Sequence, residues 1–90
     1  MSQGTVLVVD DSASIRQVVA MTLKGAGYAV LEASNGQDAL SKLTDQKIGL
    51  MITDINMPIM DGITFIKEVK ELPRYQFTPI MVLRTESQDG

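Results

Sequence analysis

Three carboxylates carry the chemistry this sequence could do. Asp10 and Asp11 close the apolar, β-branched run "TVLVV" at Thr5 to Val9, and Asp54 closes a second apolar run, "IGLMIT". Adjacent like charges at the mouth of a hydrophobic segment repel one another and call for a counter-ion. If the two runs lie side by side, the carboxylates converge, and a hard divalent cation with oxygen ligands is the natural remedy. Magnesium suits such a place better than calcium, because few protein ligands are on offer and positions remain for water or a phosphate. Each Asp taken alone could equally cap the helix that follows it, as "DDSAS" and "MDG" allow. All three standing at strand ends together weigh against that reading.

The elements that must position these residues alternate along the chain. "TVLVV" reads as a buried strand, and Ile15, Val18, Val19, Thr22, Leu23 and Ala26 fall on one helical face that starts after Ser12 or Ser14 as a cap. Gly25 and Gly27 stop that helix. "YAVLEA" is a second strand, and "SNGQDAL" gives a turn and a helix with Ala39, Leu40 and Leu43 inward. "IGLMITD" is a third strand. After "INMPIMDG", Ile63, Phe65, Ile66, Val69 and Leu72 mark a third helix ended by Pro73, and "TPIMVLRT" is a fourth strand. Strands alternating with helices predict an α/β fold, a parallel sheet with helices on both faces. Ligands of such sheets bind outside the carboxyl ends of the strands, where the chain order switches direction.

Composition excludes several classes of function. Ninety residues, 44% of them apolar and none of them cysteine, describe one small domain without disulfides or a zinc-thiolate site. A net charge of -3 with no basic cluster argues against nucleic acid as a partner. No apolar stretch approaches the roughly 20 residues of a membrane span, and a cytoplasmic location is expected. "GAGYAV" lies between a helix and a strand, the reverse of a dinucleotide fingerprint. "DINMPIMDG" fails as a calcium loop, with Pro58 at a ligand position and Ile59 where Gly is needed. The six Met read as core filler, with Met57 and Met60 partly exposed beside the acids. Pro58 fixes its own φ and biases Met57 toward an extended conformation, while Asp61 and Gly62 shape the entry to the third helix.

"LVVDDSASIRQ", "LMITDINMPIMDG" and "PIMVLRTES" together resemble the receiver domains of two-component response regulators, most of all the CheY-like chemotaxis regulators. The resemblance implies a flavodoxin-like sheet of order 2-1-3-4-5. It implies that Asp54 is the phosphoacceptor of a chemotaxis-type histidine kinase, and that Asp10, Asp11 and Asp54 hold Mg²⁺ with the main-chain carbonyl of Asn56. A motor-switch or other downstream protein would read the phosphorylated form. The sequence departs from the family pattern at Arg84, where a switch Ser or Thr is usual, with Thr85 one place later and facing the other way along a strand. The family's Lys after strand five has no counterpart, Lys70 being the last Lys. Residues 1–90 are therefore expected to form strands one to four and helices one to three of a receiver, incomplete without the last helix-strand-helix. That expectation carries two others: self-association through an open fourth-strand edge, or a fragment without signalling output. A phosphoaspartyl phosphatase would want an acid two residues after its nucleophile, where this chain has Asn56.

Overall fold

A computed structural model describes residues 4–43 and 46–83. Its elements are β1 (Thr5–Val9), α1 (Ala13–Gly25), β2 (Ala29–Ala33), α2 (Gly36–Lys42), β3 (Leu50–Thr53), α3 (Gly62–Lys70) and β4 (Ile80–Val82). A 3-10 turn at Pro73–Tyr75 joins α3 to β4. The four strands form one parallel sheet in the order β2-β1-β3-β4. This is the flavodoxin-like arrangement of CheY as far as the fourth strand. Arg84 and Thr85 lie outside the described residues.

Strand alternation divides the interior in two. Leu7, Val9 and Met51 face the side covered by α2 and α3, where they meet Ala39, Leu43, Phe65 and Val69. Val6, Val8 and Ile52 face the other side, against Val19 and Leu23 of α1. Because β1 is buried on both faces it reads as a continuous apolar run, as the inner strand of a parallel sheet should.

Each helix begins on a side-chain cap. Ser12 Oγ accepts from the Ile15 N–H at 3.4 Å, Asn35 Oδ1 from Asp38 at 2.8 Å, and Asp61 Oδ1 from Thr64 at 2.8 Å. Helix α1 stops as expected, with Gly27 at φ 101° and its N–H on the Lys24 carbonyl at 3.0 Å.

The packing departs from expectation in several places. The stripe read onto α1 is wider than the sheet surface it covers: Val18 is 63% exposed and Thr22 and Ala26 are exposed, while Ala20 is the buried residue. On α3, Phe65 and Val69 are buried but Ile63 turns outward. The methionines split: Met51 and Met57 belong to the core, Met60 is half-buried, and Met21 and Met81 are surface residues. Met57 is buried in the same core cluster as Phe65 and Val69 of α3, where its apolar side chain leaves water, so the partial exposure expected for it is incorrect. Tyr75, unremarkable in the sequence, is buried, and its hydroxyl shares its one proton between the carbonyls of Leu43 at 2.7 Å and Gln46 at 2.6 Å.

Candidate functional site

Parallel pairing of β1 with β3 brings the acids together. Val9 is in register with Thr53, and the next peptide continues the ladder, Asp54 N–H donating to the Val9 carbonyl at 3.0 Å. On the other side the Asp10 N–H donates to the Ala33 carbonyl at the end of β2, at 3.1 Å. Asp10 thus sits where the first strand ends between its two neighbours, at the switch in chain order. Each of Asp10, Asp11 and Asp54 offers a carboxylate oxygen within 4.8 Å of the other two. Asp10 and Asp54 are buried at 1% and 3% exposure, and Asp11 is exposed.

The electrostatics follow from that burial. Asp10 Oδ1 accepts from the Ser12 N–H at 2.9 Å, and Oδ2 is buried with no hydrogen-bond partner. Burial pushes the Asp10 carboxyl above the usual carboxylate range; the Ser12 bond opposes that shift and the charges of Asp54 and Asp11 add to it. Asp54 Oδ1 accepts from the Ile55 N–H at 2.7 Å. Asp10 thus combines a buried oxygen without a donor with a carboxylate that lies within 4.8 Å of two others, an arrangement that could hold a cation. The all-oxygen, acidic donor set fits Mg²⁺.

The loop that follows β3 is shaped by two close approaches. A Cβ on Gly62 would fall on the Asp54 carbonyl oxygen and lie 2.9 Å from Ile55 Cα, and the Gly62 N–H donates to the Ile55 carbonyl at 2.8 Å. Gly62 therefore permits contact between the acid-bearing strand end and the start of α3, and Asp61 beside it acts as the helix cap. The Thr64 N–H bond holds the Asp61 carboxyl below its usual value. At the far side of the loop, Gly36 leaves room for Met60, whose carbonyl accepts from the Gly36 N–H at 3.3 Å. Between them, the Met60 N–H donates to the Pro58 carbonyl at 2.6 Å across Ile59, which is held at φ 68°. That is a γ-turn with a β-branched residue in the left-handed region.

The site residues are thus distributed unevenly. Asp10, Asp11 and Asp54 converge; Asn56 lies two residues past Asp54 and is exposed; Met57 is in the core and Pro58 on the surface. Sequence reasoning overlooked Arg16, whose Nη1 donates to the Asp10 carbonyl at 2.6 Å while its Nε pairs with Glu32 at 3.2 Å. The signal was available: Arg16 is one helical turn past the Ser12 cap, on the turn nearest the acids.

Comparison with known proteins agrees with this geometry. The family model of the response regulator receiver domain matches residues 6–89. The chain is 43% identical over 84 residues to chemotaxis protein CheY1 of Helicobacter pylori, covering 89% of this chain and 66% of that protein. With the DNA-binding transcriptional regulator NtrC of Salmonella typhimurium it shares 36% identity over 87 residues, 97% of this chain but 18% of the regulator. Among solved structures, chemotaxis response regulator CheY4 of Vibrio cholerae superposes with a TM-score of 0.89 at 46% identity, over 97% of this chain and 72% of that one. The response regulator TrrA of Thermotoga maritima, solved in complex with Mg(2+)-BeF, gives a TM-score of 0.85 at 32% identity, over 94% of this chain and 72% of that one. With acids at the ends of β1 and β3 of a β2-β1-β3-β4 sheet, and with these likenesses, the chain belongs to the response regulator receiver domain family and is of the CheY-like kind.

Proposed function

We propose that Asp54 accepts a phosphoryl group from a histidine kinase in a Mg²⁺-dependent reaction, within chemotaxis signalling. The observation that carries this reading is the convergence of three carboxylates, of which Asp10 also has a buried oxygen with no partner. A carboxylate oxygen of Asp54 attacks phosphorus and forms the P–O bond of an acyl phosphate. The P–N bond to the donor imidazole breaks, its electron pair staying on nitrogen, which takes up a proton. The Ile55 N–H bond fixes the rotation of the Asp54 carboxylate for that attack. Asp10 and Asp11, with Asp54 and the Asn56 main-chain carbonyl, would hold the metal. Mg²⁺ supplies neutralisation of the charge shared by the carboxylates and the phosphoryl oxygens.

The partners in this reading are a chemotaxis-type kinase as donor and a motor-switch or other downstream protein as reader, all cytoplasmic. The chain then acts as a regulatory phosphoacceptor and not as an enzyme turning over an external substrate. Asn56, two residues beyond Asp54, has no proton to give a leaving group, which speaks against a phosphoaspartyl phosphatase. Intact-mass spectrometry after incubation with acetyl phosphate tests the assignment. A single phosphoryl adduct is expected with Mg²⁺, absent without it and absent in Asp54→Ala. An adduct that survives in Asp54→Ala would overturn it.

A second proposed association concerns the sheet edge. Met81 and Val82 of β4 are 51% and 42% exposed, and among the described residues β4 pairs only with β3. We infer self-association of this chain through that edge.

A further inference from the structure

A cation of the chain itself stands beside the acid cluster without entering it. Arg16 is fixed early in α1 by its N–H on the Ser12 carbonyl at 2.9 Å. From there Nη1 donates to the Asp10 main-chain carbonyl at 2.6 Å, and Nε donates to Glu32 Oε1, on β2, at 3.2 Å. Asp10 is consequently held at three points: its N–H on the Ala33 carbonyl, its carbonyl on Arg16, and its Oδ1 on the Ser12 N–H. Oδ2 is the oxygen left over.

This choice of partners runs against the simplest electrostatics. A guanidinium prefers a carboxylate to a neutral carbonyl, and binds it through two parallel hydrogen bonds. The residue whose carbonyl it binds carries one of the clustered carboxylates, yet the Arg16 fork is divided between that carbonyl and Glu32. The Arg16 charge correspondingly does less to Asp10 than either Asp54 or Asp11 does. Glu32 satisfies the charge of Arg16 at a distance from the cluster.

We propose that Arg16 is a positioning residue of the acid site, clamping the Asp10 main chain, and that Glu32 restrains the guanidinium so that the carboxylates stay open to a divalent cation. This rests on the reading of the cluster as a cation site. Loss of Glu32 frees Arg16 to pair with the acids and compete with the metal. Loss of Arg16 unfastens Asp10. Since Glu32 acts through Arg16, the two effects do not add.

The test is calorimetric titration of the whole chain with Mg²⁺ alone, for the wild type, Arg16→Ala, Glu32→Gln and the double variant, each checked for fold by circular dichroism. Each single variant is expected to bind about tenfold more weakly, the scale of outer-shell effects on metal sites, and the double variant no more weakly than Arg16→Ala. The carbonyl carbon resonance of Asp10 should move in both single variants before metal is added, which a loss of general stability would not single out. Should Arg16→Ala unfold, Arg16→Met keeps the packing of the side-chain stem and replaces it in the cycle. Unchanged affinity in the single variants, or losses that add, overturns the positioning role while leaving the cation site standing. A wild type whose Mg²⁺ binding is absent, or persists undiminished in Asp10→Asn, overturns the cation site and with it this proposal.

Discussion

Burial opposes the ionisation of Asp10, and pH therefore acts on it with a definite sign. Its folded-state carboxyl, raised by burial, binds a proton at pH values where the unfolded chain's carboxyl is already ionised. The metal-free domain is thus expected to gain stability as pH falls from neutral through the raised value, the gain being complete near the ordinary Asp value of about 4. Asp61, and Asp38 with its bonds from Ser34 and Lys42, have lowered values and act in the opposite sense: their contribution is present above the ordinary value and is lost as pH falls below it. Thermal midpoints in chelator should pass through a maximum on acidification. Asp10→Asn should raise the midpoint at pH 7, remove the rise between neutral pH and the maximum, and remove the stabilisation by Mg²⁺. A flat profile for the wild type would contradict this. Ile59 offers a second residue-scale expectation. Its φ of 68° suits glycine, and its side chain is 76% exposed, so removing it forfeits little burial. Ile59→Gly should stabilise the domain by about 1 kcal/mol, read from urea midpoints.

Among the elements, the joint between β3 and α3 is the least tolerant. A methyl group on Gly62 meets backbone on both sides, the Asp54 carbonyl and Ile55 Cα, and backbone cannot swing aside as a flexible side chain can. Gly62→Ala is expected to cost about 3 kcal/mol and to disturb Mg²⁺ binding at the same time, because the displaced atoms carry Asp54. Circular dichroism melts beside a Mg²⁺ titration would show whether the two losses travel together. This joint also marks how far the sequence could be read. The strands and their terminal carboxylates were legible because β1 and β3 are buried on both faces and end abruptly in charge. Convergence of the acids required only that those strands be neighbours, which the parallel pairing supplies. Gly62 was legible as a turn, but the contact that demands glycine joins segments whose distance no local pattern encodes. The same holds for Tyr75, whose hydroxyl bonds carbonyls 32 and 29 residues away, and for the pairing of Arg16 with Glu32, which only the packing of α1 against β2 brings about, although the place of Arg16 one turn past the Ser12 cap was legible. Periodicity overstated α1, since it reports which residues could face inward and not how much sheet lies beneath them.

For the molecule as a whole, the proposed association through β4 can be read in solution. Sedimentation velocity is expected to show mass rising with concentration, and Met81→Lys, a charge on the edge strand, should return the chain to a monomer without altering the acetyl phosphate reaction. A monomer at all concentrations would remove the edge from consideration. The division of the interior by the sheet has a different kind of consequence. Leu7 and Val8 are adjacent in sequence but serve separate cores, whereas Leu7 and Phe65, far apart in sequence, serve the same one. Mutational tolerance should follow the cores: substitutions at Leu7 and Val8 behave as independent events, and those at Leu7 and Phe65 show epistasis. A single-residue deletion within β1 would exchange the two cores residue by residue and carry Asp11 into the position of Asp10. Selection on the acid site is therefore also selection on strand register and strand length, and this chain's β1 should accept conservative substitutions far more readily than insertions or deletions.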